Sequence, residues 1–207
     1  TNIRFQEGVS MTDRLLKVDY ANMNGLDDKT QILFKQLEWG INLTSNTMYL
    51  TYEIDTDQLY AVTTRFDNFI QYNKDKDINL VISSYGGDVY AMLGTIDYFN
   101  TLPVKVNTHC LGACMSAAAV ILACGTGNRT MSKNSTVMVH EGSAFEAGKT
   151  SDVLKGADHL KKLQTNINRI LGEVTNKDQE FWEEVSRQDT YLTSEECLEY
   201  GIVDEIT

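Results

Sequence analysis

Two side chains in this sequence could form a nucleophile and its base. Ser116 heads the small-residue run Ala117-Ala118-Ala119, and His140 closes the apolar stretch Val137-Met138-Val139. A hydroxyl attacks a carbonyl only when a base takes its proton and fixed donors hold the oxyanion that develops. Candidates for those donors lie in Ser83-Ser84-Tyr85-Gly86-Gly87, where backbone lacking Cβ atoms can approach a reacting group closely. Ser116 near a helix start would also feel the positive end of the helix dipole, which favours a developing anion. The chemistry these parts suggest is covalent hydrolysis. Taken singly each is weak, because a serine among alanines is usually a packing residue and a histidine ending a strand is often structural.

The elements that must position them alternate between strand and helix. Ile78 to Ile82 reads as a strand running into the Gly86-Gly87 turn, and Val89 to Phe99 as a helix with Met92, Leu93, Ile96 and Phe99 inward. Pro103 precedes a strand over Val104 to Thr108. An alanine-rich helix from about Met115 to Cys124 follows, then a Gly125–Gly127 turn and a strand over Ser135 to Val139. Upstream, Asp27 to Ile41 has helical spacing, Met48 to Leu50 is a short strand, and Asp55 caps a helix with the stripe Leu59, Val62, Phe66, Phe69 and Ile70. Downstream, Ser151 to Glu173 sustains a long apolar face that a small domain could not cover alone, so a partner subunit is expected there. A short helix over Gln179 to Ser186 follows, and Thr193 with Glu196 forms a capping box before a last helix stopped by Gly201. The expected class is α/β with a largely parallel sheet. In such sheets functional groups gather at the carboxyl ends of strands, where all three candidate parts fall.

Composition narrows the function further. The net charge of −11 argues against a nucleic-acid partner, which would need basic patches. No apolar run reaches the ~20 residues of a membrane helix. The nearest, Cys110 to Cys124, reads as a tightly packed interior helix. The N-terminus carries no leader pattern, and a cytoplasmic location is expected. Cys110, Cys114, Cys124 and Cys197 read as buried free thiols. His109-Cys110 with Cys114 lacks a second ligand pair at zinc spacing, so neither a metal nor another cofactor is expected.

From Met48 to Ile206 the chain resembles the proteolytic subunit of the ATP-dependent Clp protease (ClpP). The resemblance is carried by Ile82-Ser83-Ser84-Tyr85-Gly86-Gly87, by Cys110-Leu111-Gly112 followed by Ser116, and by Asn134-Ser135 with Val137-Met138 and His140. Gly148, Asp152, Leu192-Thr193, Glu195-Glu196, Glu199-Tyr200-Gly201 and Val203-Asp204 continue it in order. It implies the ClpP/crotonase-like fold of repeated ββα units, with a protruding handle formed by the Ser151 to Glu173 helix. It also implies Ser116 as nucleophile, His140 as general base, and the amides of Gly87 and Ala117 as oxyanion hole. Gly86, Glu141 and Gly142 would bind substrate backbone. The partners implied are a seven-membered ring of like chains, single or stacked, or a mixed ring with another ClpP-like chain. An AAA+ unfoldase would feed it unfolded polypeptide. Residues 1–45 would be the N-terminal arm and first helix facing that unfoldase, and 46–207 the catalytic domain. A bacterial, plastid-stromal or virus-encoded origin fits equally.

The pattern departs from the family at several positions. The family's triad aspartate falls on Val185, which can neither accept a hydrogen bond nor stabilise an imidazolium. Three readings follow. Glu184, Asp189 or Asn134 orients His140 instead; or Ser116 and His140 act as a weak dyad; or the chain is a ClpR-like structural subunit. Tyr85 replaces a proline before the glycines, Glu141-Gly142 stands where the family has Gln-Pro, and Gln188 replaces an arginine linked to contacts between rings. An acyl-CoA enzyme of the wider crotonase fold is disfavoured, because such enzymes do not use serine and histidine in this arrangement.

Overall fold

A computed structural model describes residues 27, 30, 31, 33, 34, 36, 40–143 and 147–207. Its elements in chain order are β1 (Ile41–Asn42), β2 (Thr47–Leu50), α1 (Thr56–Tyr72), β3 (Ile78–Ser84), α2 (Val89–Thr101), β4 (Val106–Met115) and α3 (Ala117–Ala123). There follow β5 (Arg129–Met131), β6 (Thr136–Val139), α4 (Thr150–Val174), α5 (Gln179–Val185), β7 (Thr190–Leu192), α6 (Ser194–Tyr200) and β8 (Glu205–Ile206). This is the α/β, mainly parallel architecture of the ClpP fold.

The sheet runs β1-β2-β3-β4-β5-β8 and forks at β4. Residues Thr108 to Cys110 of β4 pair in parallel with β5, whereas Ala113 to Met115 pair in parallel with β6. The change of partner coincides with a register shift against β3, where Ile82 faces Cys110 but Ser84 faces Cys114. Gly112, with φ of +84°, takes the left-handed backbone that this shift requires. The fork corrects one expectation from sequence. Cys110 to Met115 is strand, and only the rest of the apolar run is helix. Small residues suit a helix there, but the segment is a central strand with neighbours on both sides, and that pairing prevails.

Why these segments fold this way is mostly plain from their patterns. β3 alternates buried and half-buried residues, as a strand covered on both faces should. The α1 stripe is inward, with Val62, Phe66 and Phe69 buried, and Asp55 caps the helix by accepting from the amide of Gln58. All seven residues of α3 are buried, so this is an interior helix whose four alanines permit close approach. The capping box of Thr193 and Glu196 forms, and Gly201 ends α6 at φ +77°. The expected Asp27 to Ile41 helix is met at residues 30, 31, 33, 34 and 36, but Ile41 opens β1, paired antiparallel with β2. The short strands β1, β5, β7 and β8 were not expected; two or three residues leave no readable period.

Helix α4 buries only Asn168 and Leu171 along its 25 residues, and Leu154 is 64% exposed. Val153, Leu160, Leu163, Ile167 and Ile170 are half-buried, so its apolar face is only partly covered within one chain. All four cysteines are buried and free. The His109 ring nitrogens are hydrogen-bonded with the hydroxyls of Thr130 (2.8 Å) and Ser132 (3.1 Å). No described helix is long and apolar enough to cross a membrane.

One arginine fastens the end of the domain. Arg129 Nη1 donates to the carbonyls of Ala123, Val174 and Gly201 at 3.1, 2.7 and 2.9 Å, while Nε and Nη2 pair with the Asp204 carboxylate at 3.1 and 2.5 Å. It thereby joins the ends of α3, α4 and α6 to β8. Hydrogen bonding to Arg129 holds the Asp204 carboxyl below its ordinary value. Replacing Arg129 by Met removes the side-chain donor from three carbonyls and leaves the Asp204 carboxylate only the residue-129 amide, at 2.8 Å, so it should cost about 2–3 kcal/mol, read as a lower urea midpoint at pH 7. Because the folded-state value is depressed, this stabilisation is present above the unfolded aspartate's pKa of about 4 and is lost as pH falls through the folded one. The wild-type advantage over R129M should therefore shrink in acid.

Candidate active site

The three parallel strands β3, β4 and β6 lie side by side and end at one edge. Gly86-Gly87 follows β3, Ser116 follows β4, and His140 follows β6, so the topology gathers the three parts. Ser116 occupies the sharp turn from β4 into α3 at φ +54°, ψ −123°. A side chain is rarely found there, at a cost on the order of 1–3 kcal/mol. The turn is held by the Ser116 amide, which donates to Met138 O on β6 at 2.8 Å, and by the Ser116 carbonyl, which accepts from Ala119. A strained strand-to-helix corner of this kind presents a hydroxyl clear of its own backbone.

Ser116 Oγ lies 2.8 Å from His140 Nε2. The other ring nitrogen, Nδ1, lies 3.2 Å from Asp189 Oδ1. An ionised carboxylate can only accept, so Nδ1 carries the proton and Nε2 is left to take one from the serine. The pairing follows from strand register. In the antiparallel β6–β7 ladder Val137 faces Leu192, Met138 faces Tyr191 and Val139 faces Thr190, and one further step sets His140 opposite Asp189. The side chains are 28% and 63% exposed, so this histidine–carboxylate pair is open to water on the aspartate side.

Of the acceptors considered for His140, Asp189 is the one brought to it. Glu184 pairs instead with Arg187, and Asn134 is exposed before β6. Val185 packs against the core, and its carbonyl accepts from the Thr190 hydroxyl at 2.8 Å. That bond fixes the turn that delivers Asp189.

The glycine pair is wedged between Ile54 and the serine corner. Gly86 O accepts from Ile54 N at 2.8 Å, and Ile54 O accepts from Asp88 N at 2.6 Å. A Cβ on Gly86 would lie 2.7 Å from Met115 O and 2.8 Å from Ser116 Cβ, and one on Gly87 would lie 2.1 Å from Ile54 O. Both glycines have positive φ, +101° and +149°. Among the described residues, no acceptor takes the amide protons of Gly87 or Ala117. Two unpaired backbone donors thus flank the serine.

These groups open into a cleft of about 510 Å³ between the head of the domain and α4. Met92, Val120 and Ile167 form apolar wall, Tyr85 and Tyr90 stand at its rim, and Gly142 and Ser143 edge it beyond His140. Tyr90 also bonds His159 of α4 at 2.6 Å, a contact that no pattern in the sequence signals. Glu141 and Gly142 are extended past β6; the Glu141 amide donates to Ser186 O at 2.6 Å. A serine hydroxyl against an imidazole, a carboxylate behind it, amides without a partner and an adjoining apolar cleft are the parts that acyl transfer requires.

The fold is that of a peptidase-type α/β subunit, as the comparisons with known proteins show. The Clp protease family model matches residues 38–207, and the chain belongs to that family. It is similar to the ATP-dependent Clp protease proteolytic subunit 1 of Prochlorococcus marinus (strain MIT 9312), with 37% identity over 131 residues, 63% of this chain and 67% of that one. The chain is a ClpP-like proteolytic subunit.

Gly87→Ala tests the wedge. With its Cβ driven into Ile54 O and its φ unsuited to alanine, the variant should lose at least about 2 kcal/mol in chemical denaturation. A midpoint equal to wild type would mean that the turn is looser than the contacts imply.

Proposed function

We propose that this chain is a serine endopeptidase whose working triad is Ser116, His140 and Asp189. The observation that carries the proposal is the unbroken chain of contacts from the serine hydroxyl through the imidazole to a carboxylate, at 2.8 and 3.2 Å. His140 Nε2 takes the Ser116 proton as Oγ attacks the substrate carbonyl carbon. The resulting oxyanion is held by the amides of Gly87 and Ala117. His140 then returns the proton to the departing amine, leaving an acyl-serine. Water, deprotonated by the same nitrogen, releases the second product. Asp189 keeps Nδ1 protonated and the ring turned toward Ser116. Gly86, Glu141 and Gly142 flank the substrate backbone.

The substrates are unfolded polypeptides delivered by an AAA+ unfoldase into a ring of such subunits. Family membership supports this, as does the apolar face of α4, which one chain covers only in part and where Leu154 is exposed. Residues 1–45 are assigned as the arm on the unfoldase side, outside a catalytic domain of 46–207.

A fluorophosphonate or β-lactone should label Ser116 covalently, with labelling lost in Ser116→Ala. No labelling, with or without an unfoldase, would reject the serine mechanism. Asp189→Asn should lower turnover by about 10²–10⁴-fold by permitting the wrong tautomer. Val185→Asp should give no gain, because His140 already has its carboxylate. The second reading, a ClpR-like subunit of a mixed ring, is favoured by the 63% exposure of Asp189 and by Val185 in the family's aspartate position. It expects the pure chain to cleave nothing, and D189N to change nothing.

A further inference from the structure

The segment after His140 is held from both sides. The Glu141 amide is fixed by Ser186, and the Gly142 amide donates to Gln164 Oε1 on α4 at 2.8 Å. Gln164 is itself fixed, because its Nε2 donates to Asn168 Oδ1 at 2.9 Å one turn further along the helix. Asn168 is only 2% exposed and lines the floor of the cleft. A polar chain therefore runs from buried Asn168 through Gln164 to the backbone two residues beyond the base. With both amides of the segment occupied, the carbonyls of Glu141 and Gly142 receive no hydrogen bond from any described residue. Both are free acceptors among the described residues, and Gly142 borders the cleft.

We propose that Gln164 is a positioning residue for substrate: by anchoring the Gly142 amide it sets the strand edge, residues 141–142, against which an extended peptide pairs. The proposal rests on the peptidase reading above and adds to it. The departure at position 142 is what makes the anchor possible. A proline there would have no N–H to give, whereas glycine leaves a donor that must be satisfied and a backbone that must be stiffened from outside. A glutamine on α4 does both. It acts on the peptide through Gly142 and touches none of the reacting atoms, so its effect belongs to substrate binding more than to the chemical step.

The test uses the full chain in whatever assembly carries its peptidase activity, with a fluorogenic peptide and a fluorophosphonate probe. Gln164→Leu removes the acceptor at similar size and should raise KM several-fold with kcat changed less than twofold. Amide exchange at Gly142 should quicken, while Ser116 labelling persists. Gln164→Glu keeps an acceptor oxygen and should restore most of the KM. Gly142→Pro removes the donor, and adding Gln164→Leu to it should produce no further rise. Persistent labelling with an unchanged KM, or with equal losses in kcat and kcat/KM, would overturn the positioning role and leave the peptidase reading standing. Absence of labelling in wild type would remove the peptidase reading, and this role with it.

Discussion

The change of partner within β4 is the constraint on which the site depends. The strand keeps β3 on one side throughout, but on the other it releases β5 and takes up β6. If β4 paired with β5 to its end, β6 would have no place beside it, and His140 would lie a strand away from Ser116. The fork places β6 at hydrogen-bonding distance, about 4.8 Å from β4. The amide of Ser116 then bonds directly to Met138 O. Serine and histidine are thus joined through backbone before their side chains meet, so their separation does not rely on flexible loops.

The same edge explains why strain is tolerated at Ser116. A positive φ there costs on the order of 1–3 kcal/mol, and it persists because its surroundings over-determine it. Below, α3 is buried at every residue. Beside it, Gly86 lies so close that even a methyl group would strike the serine's own Cβ. Tight packing on each side leaves the corner one conformation.

Much of this was legible in the sequence, for identifiable reasons. Gly86-Gly87 and His140 each end a strand whose apolar residues can be read, and their order with Ser116 along the chain matches the order of the parallel strands. Asp55, Thr193 with Glu196, and Gly201 announced their helix ends because capping is local chemistry. The strand Cys110 to Met115 was not legible, because alanine, glycine and cysteine carry little strand preference and only the pairing of β4 with β3 and β6 makes them one. Nor could the choice of Asp189 over Glu184 or Asn134 be made from sequence. It is fixed by the β6–β7 register, and β7 is three residues long with no period to read. Gln164 was invisible for a related cause: its partner is a backbone amide twenty-two residues away, and a glutamine on an exposed helix looks like any solvated side chain.

Moving the carboxylate from position 185 to 189 alters what it can contribute. A buried aspartate orients an imidazole and also stabilises its positive charge through a low-dielectric surrounding. At 63% exposure Asp189 can serve the first role but little of the second, because water screens the attraction that a low-dielectric surrounding would preserve. Orientation therefore has to come from rigidity of the support. The ladder of β6 with β7, the Thr190 hydroxyl bonded to Val185 O, and the Glu141 amide bonded to Ser186 O all lie within two residues of the pair or of the turn that carries it. Val185 belongs to that support: its side chain anchors the end of α5 in the core, and its carbonyl holds the residue next to the acid.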